Sequence, residues 1–325
     1  MLKKEYLNQD IAAMFRGIIN IGNSCYLNSA LQILMHLPFL NFLQSTDVLL
    51  EAPAVTESER PCQRTLGSQT KYKDVRRFQE ILLRFRQQYL AGDGLCNPKE
   101  MLLFLGSQQP DFEVMRACDA QEALMYLLDL VGTSAAADWD IDVEDFFFRG
   151  FSSESIQEWK KYSPRYSKIT LYITSQLEEN IFCKVCKQIL HKRFPIFTMF
   201  DIDEGDISLL NEGVKRESLE GYECDRCRKT SCIKVTCWNY FGDYVIFYNK
   251  RKSFFLRSEL KLPCVKKKTL VSYDLVMSIN HRGGHFNCFV RRESNWILCD
   301  DGNVVSGVSP PSNTIYLYVF KKKGV

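Results

Sequence analysis

The first 135 residues alternate polar stretches with segments whose apolar positions recur at helical spacing. Apolar side chains three or four positions apart lie on one face of a helix, and such a face is normally buried. This pattern predicts three helices, over residues 25–37 (CYLNSALQILMHL), 72–90 (YKDVRRFQEILLRFRQQYL) and 118–132 (CDAQEALMYLLDLVG). The polar segment 51–70 is predicted to be a long surface loop.

After about residue 140 the pattern changes to short runs that are rich in aromatic and β-branched residues, as is typical of strands. The runs with this composition are residues 168–174, 232–238, 244–249, 286–292, 295–300 and 314–320. A helical first half followed by a strand-rich second half predicts an α+β fold.

Composition and charge exclude several classes of function. The chain has 325 residues and a formal net charge of +3, which is too small to argue for a nucleic-acid partner. No apolar run approaches the roughly 18 residues that cross a bilayer, and the N-terminal segment lacks the features of a signal peptide. We therefore expect an intracellular protein, in the cytoplasm and/or the nucleus, that binds neither nucleic acid nor membrane.

The 13 cysteines of such a protein are expected to be reduced, so metal binding or catalysis explains them better than disulfides. Two pairs have the spacing of metal ligands, Cys183-x-x-Cys186 and Cys224-x-x-Cys227. Each pair resembles half of a zinc ribbon, and four thiolates complete a tetrahedral structural zinc site. The pattern therefore predicts one structural zinc ion, the alternative being four unrelated core cysteines.

Cys25 lies where the irregular segment GIINIGNS becomes the first predicted helix. A helix N-terminus collects unpaired backbone N–H groups, which favour the reactive thiolate over the thiol. The alternative is a small buried core cysteine, and Cys25 considered alone favours that alternative.

Among the four histidines, His285 is the best placed to act as a base. It opens a predicted strand directly after Gly283 and Gly284, a suitable place for an imidazole that faces an open cleft, because glycines let another chain pass close by. His36 is predicted to be a structural or surface residue, and His191 a surface residue, with a spare metal ligand as the alternative.

Asp300 and Asp301 end a later predicted strand, in the segment WILCDDGNV. Strand–turn–strand geometry would place them beside His285, where either carboxylate could fix the orientation of the imidazole. The alternative is that Asp-Asp-Gly forms an ordinary hairpin turn.

Taken together, these motifs resemble the ubiquitin-specific proteases, which are papain-like cysteine deubiquitinases. The similar segments are the nucleophile motif GIINIGNSCYLNSALQIL, the helix motif CDAQEALMYLLDLV, the two cysteine pairs, the histidine motif YDLVMSINHRGGHFNCFVRR and the final WILCDDGNV. The resemblance implies a single catalytic domain over residues 1–325, with a helical thumb, a β-rich palm and zinc-ribbon fingers. The implied limits are about 1–135 for the thumb, 136–175 and 241–325 for the palm, and 176–240 for the fingers.

The resemblance also implies a role for each candidate site residue. Cys25 would be the nucleophile, His285 the general base and Asp300 the acid that orients the histidine. Asn20 would be the oxyanion-hole asparagine, and Asp301 a helper near the oxyanion hole or the histidine. The residues implied to bind the arginine-containing tail of ubiquitin are Asp119, Gln121, Glu122 and Phe286. The reaction implied by the resemblance is acyl transfer from the terminal glycine of ubiquitin, without a catalytic cofactor.

Two departures from the family pattern change the expected site. Phe286 stands where the family usually has tyrosine, so a contact through that hydroxyl is lost. Only Arg282, Gly283 and Gly284 separate His281 from His285, where the family normally has a longer loop over the cleft. We therefore expect a more open cleft.

The expected partner is ubiquitin or ubiquitinated proteins, bound by a monomer. A protease for another ubiquitin-like modifier is the first alternative, because the tail-binding motif hardly separates the two. A catalytically silent ubiquitin-binding scaffold is another, and a zinc-ribbon protein that binds nucleic acid is a third.

Overall fold

The structure is a computed structural model, and it describes residues 15–38, 40, 72–92, 94–134, 151–162, 172–249, 256–264 and 269–324. The helices are α1 (Cys25–His36), α2 (Tyr72–Leu90), α3 (Lys99–Gln108), α4 (Ala120–Ser134), α5 (Ser153–Tyr162) and α6 (Ile207–Glu212). The first strands are β1 (Ser175–Cys183), β2 (Ile189–Arg193), β3 (Ile196–Phe197), β4 (Met199–Asp201), β5 (Val214–Leu219), β6 (Cys232–Tyr240) and β7 (Tyr244–Tyr248). They are followed by β8 (Glu259–Cys264), β9 (Thr269–Arg282), β10 (His285–Arg292), β11 (Asn295–Asp300), β12 (Asn303–Ser306) and β13 (Ile315–Lys322).

The chain forms two compact units. The first contains α1 to α4 together with the strand segments between Val276 and Tyr318, and the second contains α5, α6 and the strands up to Leu275. The sequence predicts thumb, palm and fingers at other limits, and that subdivision stays a prediction.

Helix α1 forms the core of the first unit. Every residue from Cys25 to Met35 is buried, and the helix packs against α4, β10 and β11. The strands of this unit follow the order β12–β11–β10–β9–β13. Because α1 is enclosed on all sides, its first residue is held in a fixed position relative to β10 and β11.

His36 closes the last turn of α1. Its ring stacks on Phe15 at 4.3 Å between centroids, and its Nε2 lies 3.0 Å from the hydroxyl of Tyr89. Burial lowers the pKa of His36 to about 4, so the ring is neutral at physiological pH. These contacts agree with the predicted structural role.

The strands β9 and β10 are joined by a turn of only two residues, Gly283 and Gly284. Both have positive φ, 60° and 79°, as a tight hairpin of this type requires, and His285 pairs with Arg282. A methyl group built on either glycine would meet no atom within 4 Å, and the expectation that another chain passes close by stays a prediction. Backbone conformation is the reason for glycine here, and the turn places His285 at the first position of β10.

The second unit contains an antiparallel sheet in the order β2–β1–β6–β5. Its core surrounds Trp238 on β6, whose ring centroid lies 4.9 Å from Phe241, 5.6 Å from Phe200 and 5.9 Å from Phe197. The indole Nε1 donates to the carbonyl of Leu209, so this buried polar group is satisfied. The sheet extends beyond this core and carries the cysteine pairs at the ends of its strands.

Most predicted elements agree with the structure. The helix predicted over 72–90 matches α2 at both ends, and the strand predicted over 295–300 matches β11. The other two predicted helices and the other strands predicted after residue 230 differ by one or two residues at their ends. The predicted loop 51–70 lies outside the described residues. No helix among the residues the structure describes combines the length and apolar character needed to cross a membrane.

One strand-rich segment was interpreted too simply. In the predicted strand 168–174, the described part lies in a helical turn at Tyr172 and Ile173, and β1 begins only at Ser175. Ile173 and Thr174 are buried without belonging to a strand, so the apolar residues of this segment indicate burial and not strand structure.

The helices α3, α5 and α6 were missed. The start of α6 carries a recognisable signal, because the Asp203 carboxylate caps the turn that leads into it.

Candidate functional site

The loop before α1 is held by hydrogen bonds within itself. The side-chain oxygen of Asn20 accepts from the backbone N–H groups of Gly22 and Ser24, at 3.0 and 3.3 Å. The hydroxyl of Ser24 accepts from the N–H of Ile21 at 3.0 Å, so this side chain organises the loop and does not cap the helix. The loop therefore presents Cys25 in one defined position, as the first residue of α1.

The thiol of Cys25 is buried, with 8% of the residue exposed. Burial raises the pKa of the Cys25 thiol, and the negative charge of Asp301 raises it further. The backbone N–H of Phe286 and the N–H groups at the start of the helix lower this pKa, but by less than burial and this charge together raise it. The expectation of an easily ionised thiol is therefore wrong, because burial outweighs the N–H groups that the helix start supplies. The free site holds a neutral thiol at physiological pH.

His285 and Asp300 are brought together by the pairing of β10 with β11. Asp300 Oδ1 lies 2.5 Å from His285 Nε2, in a register that also places Cys288 opposite Cys299. A carboxylate can only accept a hydrogen bond, so Nε2 carries the hydrogen and Nδ1 is left as the basic nitrogen. The predicted neighbourhood of GGHF and CDDG is therefore present in the structure.

Asp301 has a different set of partners from its neighbour. Its Oδ1 accepts from Asn28 Nδ2 at 2.7 Å and its Oδ2 from Asn20 Nδ2 at 2.8 Å. Its backbone carbonyl accepts from the N–H of Ile18 at 2.8 Å. Asp300 thus contacts the histidine, whereas Asp301 contacts the loop and helix that carry Cys25.

A cavity of about 440 Å³ lies in the same unit. The residues that line it are Asp111, Arg116, Ala117, Cys118, Asp119, Glu122, His281, Gly284 and Phe286. The ring of Phe286 stacks on His281 at 4.2 Å between centroids. Three of the predicted tail-binding residues therefore share one cavity.

The predicted tail-binding residues differ in how far they are already engaged. The carboxylate of Asp119 accepts from the backbone N–H of Gln121 at 2.8 Å and from the hydroxyl of Tyr316. The contact of Gln121 with Asp119 is made by its backbone N–H and not by its side chain. Glu122 is exposed and lies 3.6 Å from the sulfur of Cys118. Asp119 is therefore a cap of α4 as well as a cavity residue.

Sequence reasoning missed two residues that contact the site. Asn28 lies three positions after Cys25 on the same helix face, and this spacing is a signal that could have identified it. Tyr316 has no local signal, because it meets Asp119 from 197 positions away.

The four cysteines of the two pairs form one cluster in the second unit. The Sγ atoms of Cys183 and Cys227 lie 3.6 Å apart, as do those of Cys186 and Cys224. All four lie within 4.8 Å of one another. A tetrahedron with metal–sulfur bonds near 2.3 Å has edges of about 3.8 Å, so the cluster has the size of a tetrathiolate metal site.

The two turns that carry these cysteines have the same backbone geometry. The carbonyls of Cys183 and Cys224 accept from the N–H groups of Lys187 and Arg228, at 3.0 and 2.8 Å. Lys187 and Arg228 have matching φ values of 57° and 60°. Equivalent turns present two thiolates each, and the four cysteines could hold a metal ion.

The sequence comparisons give one family. The family model described as "Ubiquitin carboxyl-terminal hydrolase" matches residues 16–320. Ubiquitin carboxyl-terminal hydrolase 36 of Drosophila pseudoobscura pseudoobscura is 27% identical over 91% of the chain, and ubiquitin carboxyl-terminal hydrolase 51 of Mus musculus is 23% identical over 89%. The chain spans 28% and 48% of the lengths of these two relatives.

Solved structures share the fold. A SAGA DUB module bound to monoubiquitin matches with a TM-score of 0.66 and 17% identity over 98% of this chain and 71% of the matched chain. The Ubp8/Sgf11/Sus1/Sgf73 DUB module bound to ubiquitin aldehyde matches with a TM-score of 0.66 and 18% identity over 96% and 70%. The predicted α+β fold is confirmed.

The charge of Asp301 gives a testable effect on Cys25. In Asp301→Asn the nearby negative charge is removed, so the pKa of the Cys25 thiol should fall below its wild-type value. The measurement is the rate of Cys25 alkylation by iodoacetamide against pH, read by mass spectrometry. Asp111→Asn removes an exposed carboxylate paired with Arg116 and should leave the profile unchanged. An unchanged or raised midpoint in Asp301→Asn would contradict the electrostatic explanation.

Proposed function

The chain belongs to the ubiquitin carboxyl-terminal hydrolase family, and we propose that it is a thiol-dependent deubiquitinase that cleaves after the C-terminal glycine of ubiquitin. One observation carries the proposal. Cys25 opens α1 with the backbone N–H of Phe286 directed at its thiol, and the preceding residue, His285, is held by Asp300. A thiol, an imidazole and an orienting carboxylate are the parts that nucleophilic catalysis needs.

The first step in this proposal is attack by Cys25 on the carbonyl carbon of the terminal glycine. Because the thiol is neutral in the free site, a base has to take its proton as the sulfur attacks. Nδ1 of His285 is the basic nitrogen, and Asp300 stabilises the imidazolium that forms.

Asn20 supplies a donor for the negative charge that develops on the carbonyl oxygen. Its side-chain oxygen is held by the loop, and one amide hydrogen goes to Asp301, which leaves the second hydrogen for the oxyanion. A donor of this kind contributes about 2.7–4 kcal/mol to transition-state stabilisation.

Collapse of the tetrahedral intermediate forms a thioester between Cys25 and ubiquitin. The proton held by His285 goes to the departing lysine amine, so that amine leaves neutral. Water then attacks the thioester with His285 again as the base, and ubiquitin is released with a free carboxylate. The sum of the two steps is hydrolysis, with the enzyme regenerated.

We assign the cavity beside Phe286 to the tail of ubiquitin. Asp119 and Glu122 give it negative charge, which suits the arginine-containing tail implied by the family resemblance. The two-residue turn at Gly283 and Gly284 supports the expected open cleft, because no longer loop joins β9 to β10.

We also infer that the four-cysteine cluster holds one structural zinc ion. The sulfur spacing and the two matching turns support this, since closed tetrathiolate sites are typical of structural zinc. The ion would fix the far end of the sheet formed by β1, β6 and their neighbours and take no part in the chemistry at Cys25.

Reaction with an electrophilic probe tests the catalytic proposal. Ubiquitin that carries a C-terminal propargylamide should form a covalent adduct with the wild-type protein and none with Cys25→Ala, read as a mass shift on a gel. Cys118→Ala is a matched control: Cys118 lines the cavity and is proposed to have no catalytic role, so this variant should still form the adduct.

The same experiment separates the alternatives. A wild-type protein that binds ubiquitin without forming an adduct would contradict the enzyme and favour a silent scaffold. Probes built on ubiquitin-like modifiers, run in parallel, identify the substrate: an adduct with one of these and none with ubiquitin would replace the proposed substrate.

Metal analysis tests the zinc proposal. Cys183→Ser or Cys224→Ser should lose about one zinc ion per chain by mass spectrometry of metals and lower the thermal stability, because metal binding contributes to folding. Cys232→Ser is the matched control: Cys232 is buried against the cluster but lies outside the proposed ligand set, so zinc should remain. Equal zinc content in all three variants would contradict the assignment.

A further inference from the structure

We propose that Asn28, a buried residue of α1, is a positioning residue that orients the oxyanion donor Asn20 through the carboxylate of Asp301. The inference rests on the function proposed above and adds a residue to it. Asn28 lies one helical turn after Cys25, and only 2% of it is exposed. It therefore acts on the reaction through its neighbours, without touching the substrate.

The amide nitrogen of Asn28 meets acceptors on every side. Its Nδ2 lies 2.7 Å from Asp301 Oδ1 and 3.3 Å from the backbone carbonyls of both Ile18 and Ile19. All three partners can only accept, so a donor is required at this position. One hydrogen goes to the carboxylate, and the other is shared between the two carbonyls of the loop.

These contacts fix both oxygens of Asp301. Asn28 occupies Oδ1, which leaves Oδ2 to accept from Asn20 Nδ2 at 2.8 Å. The backbone of Asp301 is tied at the same time, because its carbonyl accepts from the N–H of Ile18. The carboxylate cannot rotate without losing one of its two charge-assisted hydrogen bonds.

Asn20 is in turn fixed at both ends of its amide. The loop N–H groups of Gly22 and Ser24 hold its oxygen, and Asp301 holds its nitrogen. The direction of the remaining N–H, which is proposed to meet the oxyanion, therefore depends on where Asp301 sits. Asn28 fixes the position of the Asp301 carboxylate, and it belongs to the same helix as Cys25. The proposed nucleophile and the proposed oxyanion donor are therefore both positioned by α1.

The acceptors around position 28 require a side chain that donates hydrogen bonds, so neither aspartate nor alanine can replace asparagine here. Aspartate at position 28 would set one carboxylate against another at hydrogen-bond distance, with no donor for either. Alanine would leave a carboxylate oxygen of Asp301 without its short hydrogen bond. In both variants Asp301 should turn away, and Asn20 should lose its fixed direction.

Kinetics with ubiquitin that carries a C-terminal fluorophore test the proposal. Asn28→Ala should lower kcat by about 10- to 100-fold with little change in KM, because misplacing a group that acts in the transition state costs rate, and ground-state binding is kept. Asn28→Asp, which keeps the size of the side chain, should lose at least as much. A KM effect with unchanged kcat would overturn the proposal.

Asn239→Ala is the control for a merely structural role. Asn239 is also a buried asparagine, and its Nδ2 donates to Ser155 and Gln176 in the other unit. If Asn28 mattered only for folding, both alanine variants would lower the melting temperature and both would keep kcat. We expect only Asn28→Ala to lower kcat at a temperature where both variants are folded.

A double-mutant cycle identifies the route of the effect. If Asn28 acts through Asn20, then Asn28→Ala in an Asn20→Ala background should cause no further loss of kcat. Multiplicative losses would overturn the proposal while leaving the deubiquitinase itself intact. A wild-type protein that does not hydrolyse the substrate at all would instead contradict the proposed function.

A crystal structure of Asn28→Ala gives a second readout that does not depend on turnover. The contact between Asn20 Nδ2 and Asp301 Oδ2 should be broken in the variant. Retention of this contact at its wild-type length would overturn the positioning role even for an inactive protein.

Discussion

The site depends on the hydrogen bonds that Asp301 makes with the segment around Cys25. Through its carboxylate and its carbonyl, this residue connects the turn after β11 to Asn20, Asn28 and Ile18, more than 270 positions earlier in the chain. The carboxylate of its neighbour Asp300 accepts instead from His285. Two adjacent carboxylates therefore fix the segment around Cys25, the proposed nucleophile, and the proposed base His285 relative to each other.

The same arrangement explains the state of the thiol. A buried sulfur beside a fixed negative charge has a raised pKa, so it stays neutral until a base removes its proton. Burial at the start of α1, which gives Cys25 its fixed place, is also the largest cause of the raised pKa of its thiol. The charge that holds Asn20, the proposed oxyanion donor, opposes ionisation of Cys25, the proposed nucleophile. We propose that His285 resolves this conflict by taking the proton of the thiol.

Features that depend on local pattern could be predicted from the sequence. The apolar stripe of α2, the paired cysteines and the strand that begins at His285 are all encoded within a few residues. Features that depend on distant contacts could not. The raised pKa of Cys25 follows from enclosure by other elements, and the bond from Tyr316 to Asp119 joins segments with no shared local pattern.

The most direct test of the central claim is a double-mutant cycle on His285 and Asp300, with hydrolysis of fluorophore-tagged ubiquitin as the readout. If Asp300 acts only by orienting His285, His285→Ala should lower kcat by about 10³-fold or more, and Asp300→Ala should add nothing in that background. Losses that multiply in the double variant, or a His285→Ala protein with wild-type kcat, would contradict the proposed triad.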